Sequence, residues 1–275
     1  ALAKAHNAAF LFEASVGGGT PIITPMHQCL AANHISQIRG IVNGIDVDAF
    51  NPETDPHLFK NYGINSLDDK KVNRSELLKM CGLEASDETM VIGMVGRLTS
   101  QKGLDLVQCV LNDILEKDVR MIVLGTGDYD YEQMFMRAKW EHPDKISTNI
   151  MFSADLANKI YAGCDLFLMP SLFEPCGLSQ LMSLRYGTVP IVRETGGLKD
   201  TVQPYNEFEG TGTGFSFTNY NAHEMLATVR NAERVYYDNK REWNKMVDRA
   251  MAADFSWSHS AKQYEEMYNW LIGDK

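Results

Sequence analysis

Short apolar segments alternate with amphipathic segments between Glu88 and Pro190, and no other feature constrains the fold as strongly. The apolar segments are typical of buried strands and cover Met90–Val95, Val119–Leu124, Ile150–Phe152, Asp165–Met169 and Val189–Val192. Between them, apolar residues recur with helical periodicity over Leu104–Leu115, Tyr129–Trp140, Leu156–Ala162 and Ser179–Tyr186. The pattern predicts βαβ units, and hence an α/β fold with a parallel sheet and flanking helices.

The rest of the chain adds one loop and further helices. Tyr205–Thr213 is rich in Gly, Asn and Glu, which predicts a loop. Helical patterns follow over Ala222–Tyr237, Trp243–Ala253 and Ser258–Leu271.

Composition excludes several classes of protein. At about 150 residues per domain, 275 residues make one or two domains. The net charge of -10 argues against a nucleic-acid partner, and no apolar run is long enough to span a membrane. The five cysteines include no CxxC pair, which argues against disulfide frameworks and zinc knuckles and favours a cytoplasmic protein. The first residue is not Met, so we expect an internal fragment rather than a precursor.

Two cations flank the turn that follows the strand Met90–Val95. Arg97 and Lys102 lie on Gly96–Gly103, just before the next predicted helix. Parallel strands end at one edge of the sheet, where open α/β folds bind ligands. A guanidinium and an ammonium beside helix N–H groups can bind a diphosphate, and the alternative is a pair of solvated surface cations.

A second loop, Phe173–Gln180, follows another strand predicted to end at this edge. Glu174 can accept hydrogen bonds from sugar hydroxyls, or it can simply stabilise the start of a helix. Gly177 allows N–H groups to face a phosphate. Cys176 is either a small packed hydrophobe or a reactive thiol.

A third loop, Glu194–Leu198, follows the last strand of the series. Its glycines, Gly196 and Gly197, can expose N–H groups to an anion or can simply make a turn. Three such loops after three parallel strands predict an anion- or sugar-binding edge. No metal-ligand motif and no obvious general base accompany them.

A set of short motifs extends over most of the chain. In order they are Gly40–Asp46, Phe50–Asp55, Gly96–Gly103, Pro170–Leu178, Arg185–Gly187 and Thr195–Val202. The set resembles bacterial glycogen synthase and plant starch synthase over residues 40 to 275, and the string FEPCGL followed by TGGL is highly specific. The resemblance implies one half of a GT-B fold, that is, one of the two Rossmann-like domains of a retaining glucosyltransferase.

The same resemblance implies roles for the three loops. Arg97 and Lys102 would bind the donor diphosphate and Glu174 would contact the donor glucose, which makes these three the catalytic candidates. The substrate-binding candidates are Cys176, Gly177, Leu178, Thr195, Gly196 and Gly197. The donor would be ADP-glucose, the acceptor the non-reducing end of an α-1,4-glucan, and no metal or other cofactor would be required.

The first forty residues have a different character. Ala9–Phe12 predicts a strand, Val16–Gly19 a flexible loop and Met26–Asn33 a helix. Three stretches of this region, Phe12–Ile23, Cys29–Asn33 and Ile38–Gly44, are similar to the middle of homoserine dehydrogenase. That family's cation site would correspond to Glu13, Val16, Gly18 and Thr20.

The two resemblances predict a chimera. Residues 1–40 would be a homoserine-dehydrogenase-like segment that is not an independent domain, and residues 41–275 a nucleotide-sugar-binding glycosyltransferase domain. The family's amino-terminal half, with its acceptor groove, has no counterpart here, so we expect the chain to be inactive alone. One alternative is an oxidoreductase fragment derived from homoserine dehydrogenase, although Gly125-Thr126-Gly127 lacks the third glycine of a dinucleotide loop. The other is a catalytically silent nucleotide-sugar-binding fragment.

Overall fold

The computed structural model describes residues 8–10 and 37–273 of the chain. Their contacts divide into two units: the residues up to Gly44 together with those from Ser256 onward, and the continuous stretch Ile45–Phe255. In the first unit, β1 (Ala8–Phe10) pairs in parallel with β2 (Gln37–Arg39). The division predicted after residue 40 stays a prediction, and the predicted loop Val16–Gly19 and helix Met26–Asn33 lie outside the described residues.

The second unit is built on a six-stranded parallel sheet. Its strands are β3 (Met90–Val95), β4 (Val119–Leu124), β5 (Ile146–Asn149), β6 (Leu166–Met169), β7 (Val189–Arg193) and β8 (Phe215–Phe217). The spatial order is β5-β4-β3-β6-β7-β8, so the chain winds outward to β5 and then crosses back past β3. A reversal of this kind opens a crevice at the carboxyl ends of β3 and β6, where doubly wound sheets bind ligands. The predicted α/β fold with a parallel sheet and flanking helices is confirmed.

Nine α-helices accompany the strands in the described part of the chain. They are α1 (Lys70–Met80), α2 (Leu104–Glu116), α3 (Tyr129–Glu141), α4 (Ala154–Gly163), α5 (Ser179–Arg185), α6 (Gly196–Thr201), α7 (Ala222–Asp238), α8 (Lys240–Ala252) and α9 (Trp257–Ile272). None of the helices in the described residues is long and apolar enough to cross a membrane.

Alternate residues of the central strands pack into two hydrophobic clusters. Ile92 of β3 packs in one cluster with Val110 of α2, whereas its neighbour Val91 packs in the other with Leu77 of α1 and Ile160 of α4. Successive side chains of a strand point to opposite faces, so the sheet has a helical layer on each face. Burial on both faces explains why the strand sequences are continuously apolar.

Most predicted strands and helices of the second unit are confirmed, but one strand is wrong. The stretch Ile150–Phe152 was expected to be a strand, whereas β5 occupies the four residues before it and pairs with Met121–Leu124 of β4. The stretch that pairs with β4 is therefore Ile146–Asn149, although it is less apolar than Ile150–Phe152. Phe152 lies beyond the strand with its side chain 91% exposed.

Helix α1 and strand β8 are absent from the sequence-based prediction. The buried face of α1 includes Asn73 and Arg74, so its apolar periodicity is interrupted. The Asn73 side-chain oxygen accepts hydrogen bonds from the N–H groups of Phe59 and Lys60, at 3.1 and 3.2 Å. A hydrogen-bonded asparagine thus occupies a position where hydrophobic patterning requires an aliphatic residue.

The two ends of the second unit meet. The Ile45 N–H donates a hydrogen bond to the Phe255 carbonyl oxygen at 2.8 Å. In the first unit, the Ser260 hydroxyl of α9 donates to the Val42 carbonyl at 2.8 Å, and Met267 packs with Ile41.

Lys70 joins the carboxyl ends of two helices. Its ammonium donates to the carbonyl oxygens of Tyr161, Ala162 and Tyr186, at 3.3, 2.8 and 3.1 Å, and to the Thr188 hydroxyl at 2.9 Å. The last carbonyls of a helix have no partner within the helix, so this cation satisfies groups at the ends of α4 and α5. Burial lowers the pKa of Lys70 to about 8.

We expect Lys70 to make stability depend on pH under alkaline conditions. The unfolded lysine titrates near pH 10.4, so between that value and pH 8 the unfolded state binds more protons than the folded state, and Lys70's contribution to the unfolding free energy rises with pH. Relative to Lys70→Met, the wild type should gain about 2 kcal/mol between about pH 7.5 and about pH 10 in denaturant titrations. Lys79→Met, at an exposed lysine of α1, is the control; a gain that shrinks with pH would contradict the prediction.

Candidate functional site

The three loops singled out in the sequence lie at the carboxyl edge of the sheet. The first loop (residues 96–103) follows β3. The second loop follows β6 and covers residues 170–178 in the structure, where the sequence suggested Phe173–Gln180. The third loop follows β7 and covers residues 194–197, where the sequence suggested Glu194–Leu198; its last two residues begin α6. Since β3, β6 and β7 are consecutive in the sheet, the loops are neighbours around the crevice where the winding direction reverses.

Lys102 of the first loop and Glu174 of the second loop form an ion pair. The Lys102 ammonium donates to Glu174 Oε2, and the two side chains are only 20% and 12% exposed. The Ser171 hydroxyl donates to the same oxygen at 3.4 Å. Two residues predicted to act on one ligand are therefore in direct contact, and each neutralises the other while no ligand is bound. An arriving anion would compete with Glu174 for Lys102.

Arg97 lies in the first loop, five residues before Lys102, and is exposed. Its Nη2 donates to Gln101 Oε1 at 3.0 Å. The Gln101 amide in turn donates to the Phe173 carbonyl at 3.4 Å, and the Gln101 carbonyl accepts from the Leu172 N–H at 2.9 Å. Gln101 thus joins the first loop to the second, and the exposed guanidinium keeps further donors available for an anion.

Glycines allow the loops to approach each other closely. Gly103 adopts φ +71°, and a Cβ atom there would lie 2.0 Å from the Pro170 carbonyl oxygen. Gly196 adopts φ +44°, and its Cβ would lie 2.2 Å from the Glu174 carbonyl oxygen. The backbone on each side of Glu174 is therefore packed at distances that any larger residue would prevent.

Gly197 does not offer its N–H to a ligand. That group donates to the carbonyl oxygens of Glu174 and Pro175, at 3.2 and 3.0 Å. These bonds connect the third loop to the second loop, so of the two alternatives for Gly197 the structure favours the simple turn. Of the other third-loop candidates, Thr195 immediately precedes α6 and is partly buried.

The remaining second-loop candidates differ in exposure. Cys176 is buried, and its thiol donates to the Gly177 carbonyl at 3.2 Å, so it packs as a small core residue. Gly177 adopts φ +75°, which makes the turn into α5. Leu178 is 44% exposed.

Gln180 is a site residue that the sequence did not reveal. Its fully buried amide donates to the Cys176 and Gly177 carbonyls, at 3.1 and 3.0 Å, and to the Thr201 hydroxyl at 3.1 Å. It therefore joins the second loop to α6. Only its position at the start of a helix after a glycine could have suggested this role.

Phe152 was placed in a strand by the sequence-based prediction and was therefore not considered as a site residue. It follows β5, at the same edge of the sheet, and is 91% exposed. Placing it in a strand concealed an aromatic ring available for stacking.

The predicted cation-site residues, Glu13, Val16, Gly18 and Thr20, lie outside the described residues. Within the described residues, no group of three or more His, Cys, Asp or Glu side chains could hold a metal ion.

Comparison with known proteins identifies the family. Residues 82–246 match the family described as glycosyl transferases group 1. The chain belongs to this family. The matched residues extend from just before β3 to α8 and include all three loops.

Similar proteins are named as glycogen and starch synthases. The glycogen synthase of Lachnospira eligens is 60% identical over 235 residues, which are 85% of this chain and 49% of that protein. The glycogen synthase of Lachnoclostridium phytofermentans is 57% identical over 233 residues, 84% of this chain and 49% of that protein. This chain therefore spans about half the length of these curated relatives.

A solved structure supports the same relationship. The catalytic domain of starch synthase IV from Arabidopsis thaliana, bound to ADP and acarbose, has a TM-score of 0.83 and 33% identity, covering 90% of this chain and 51% of that one. The fold of this group 1 glycosyl transferase is that of one half of a GT-B glycosyltransferase, as the motifs implied. The resemblance of residues 1–40 to homoserine dehydrogenase stays a prediction.

We expect Gly197→Ala to destabilise the protein. Its Cβ would lie 2.3 Å from the Cys176 carbonyl oxygen, so the second and third loops must separate, at a cost of about 1 to 3 kcal/mol. Gly96→Ala is the matched control, because a Cβ there would have no heavy atom within 4 Å. Chemical denaturation of both variants measures the difference; equal unfolding free energies would contradict the close packing of the loops.

Proposed function

We propose that the three loops bind the nucleotide-sugar donor of a glycogen- or starch-synthase reaction. In that reaction, a retaining glucosyltransferase moves glucose from ADP-glucose to the non-reducing end of an α-1,4-glucan. The observation that carries the proposal is the ion pair between Lys102 and Glu174 at the winding reversal. A cation that can bind phosphate and a carboxylate that can accept hydrogen bonds from sugar hydroxyls are in direct contact there.

Arg97 and Lys102 are the proposed diphosphate ligands. Arg97 is exposed and has donors to spare, whereas Lys102 must exchange Glu174 for a phosphate oxygen. Both cations would stabilise the negative charge that develops on the leaving nucleotide as the glycosidic bond breaks. This chemistry needs no metal ion, because the protein's own cations supply the positive charge.

Glu174 is the proposed contact of the donor glucose. Once the diphosphate binds Lys102, the carboxylate is free to accept hydrogen bonds from sugar hydroxyls. Leu178, Gly177 and the turn from Thr195 to Gly196 would line the donor beside it. Cys176 and Gly197 would act from behind this surface, since their polar groups are already bonded within the loops.

Phe152 is the proposed platform for the nucleobase. It lies beyond β5, whereas the diphosphate ligands lie beyond β3, with β4 between the two strands. An extended nucleotide could therefore place its phosphates at the crevice and its base against the aromatic ring. The ADP in the starch synthase IV complex favours adenine as that base.

Isothermal titration calorimetry tests the proposed donor. We expect this chain to bind ADP and ADP-glucose more tightly than UDP-glucose, and to show no heat of binding with NADPH. Tight binding of NADPH without binding of ADP-glucose would favour the oxidoreductase alternative instead.

Replacing the proposed phosphate ligands should weaken binding. Arg97→Ala and Lys102→Ala should each cost roughly 1.5 to 3 kcal/mol of ADP binding free energy, the value of a charge-assisted hydrogen bond. Cys176→Ser is the matched control, because a serine hydroxyl can keep the bond to the Gly177 carbonyl. If Cys176→Ser abolished binding while Arg97→Ala did not, the roles assigned to these loops would be reversed.

Glucan elongation by this chain alone should be negligible. Transfer to an acceptor requires a site closed against water, and the chain spans about half of its curated relatives. The measurement is incorporation of labelled glucose from ADP-glucose into glycogen, with a full-length glycogen synthase as the positive control. Robust incorporation by the chain alone would show that these residues suffice for the reaction.

A further inference from the structure

Arg193 crosses from the end of β7 to the backbone of the second loop. Its Nε donates to the Ser171 carbonyl at 2.9 Å, and its Nη2 donates to the Leu172 carbonyl. Ser171 is fully buried. Its carbonyl would therefore have no ready replacement partner if the guanidinium were removed. One side chain thus fixes the loop three residues before Glu174.

The positive charge of Arg193 faces an aromatic ring that is hydrogen-bonded to a carboxylate. None of the ion pairs formed by the described residues includes Arg193. Its guanidinium instead lies 5.5 Å from the centre of the Tyr220 ring, and the Tyr220 hydroxyl donates to an Asp105 carboxylate oxygen. Burial, together with that hydrogen bond, raises the pKa of Tyr220, so the phenol keeps the proton that it donates. The ring presents its face to the cation and its hydroxyl to the carboxylate.

This network connects the elements that carry the two halves of the ion pair. Asp105 lies in the first turn of α2, three residues after Lys102, whereas the carbonyls bound by Arg193 lie just before Glu174. From the other side, Gln101 bonds to the Leu172 N–H and the Phe173 carbonyl. The second loop is therefore held between Gln101 and Arg193.

We propose that Arg193, supported by Tyr220 and Asp105, is a positioning residue of the donor site. It keeps Glu174 in place when a diphosphate takes Lys102 away from the carboxylate. The inference rests on the proposed function, because it needs a donor with both a diphosphate and a glucose. Without a ligand, the ion pair with Lys102 holds the Glu174 side chain in place. When a diphosphate binds Lys102, the ion pair is broken, and the hydrogen bonds from Arg193 to the second-loop backbone keep Glu174 in position.

Calorimetry with two ligands separates positioning from a general loss of structure. Arg193→Ala should weaken ADP-glucose binding at least about tenfold, because a displaced Glu174 misses the glucose. ADP, which lacks the glucose, should lose less than about threefold. Arg193→Lys should restore part of the ADP-glucose affinity, since an ammonium can still donate to one carbonyl. Tyr220→Phe should weaken ADP-glucose binding by about threefold, because the ring remains and only the bond to Asp105 is lost.

A matched control and a ligand-free measurement complete the experiment. Arg234→Ala removes an exposed arginine that pairs with Glu207, and should leave both affinities at the wild-type value. Hydrogen exchange on the free proteins should show faster exchange at the Leu172 amide in Arg193→Ala, with the Ile92 amide of β3 unchanged.

Two results would overturn the inference alone. One is a wild type that binds both ligands while Arg193→Ala binds them equally well. The other is an equal loss of both ligands in Arg193→Ala and Arg193→Lys, accompanied by a lower unfolding temperature, which would indicate a merely structural role. A wild type that binds neither ligand would overturn the proposed function and this inference with it.

Discussion

The reversal of winding direction between β3 and β6 is the constraint on which the candidate site depends. It brings the loop after β3 next to the loop after β6, as the bond between Lys102 and Glu174, 72 residues later in the chain, shows. The glycines at 103 and 196 then allow backbone to pack against backbone on both sides of Glu174. The strand order brings the charged side chains of the two loops together, and the glycines allow the loop backbones to pack closely against each other.

The local electrostatics differ from those of the whole chain. The net charge is -10, which on its own would repel a nucleotide. Arg97 and Lys102 nevertheless lie on the first loop, and Arg193 at the end of β7 donates hydrogen bonds to the backbone of the second loop. At physiological ionic strength, charges more than about 8 Å away are largely screened. A diphosphate bound beside these loops would therefore interact mainly with the charged groups near it, and little with the net charge of the whole chain.

Hydrophobic patterns predicted the strands that are buried on both faces. They did not predict features that depend on hydrogen bonds of individual polar side chains. The strands β3 and β4 were predicted with their observed bounds, because burial on both faces leaves a continuous apolar run. Helix α1 could not be recognised, since buried Asn73 and Arg74 interrupt its pattern. Among the site residues, motifs indicated Lys102 and Glu174, but the contacts of Arg193 connect residues far apart in sequence. No periodicity records such long-range hydrogen bonds.

The bond between Ile45 and Phe255 has a consequence for protein engineering. Because the first and last residues of the second unit are hydrogen-bonded to each other, this stretch of chain begins and ends at one place. A unit with adjacent termini can be spliced into a surface loop of another protein, or given new termini elsewhere, with little distortion. The sheet and its three loops could therefore be inserted into another protein as one continuous segment.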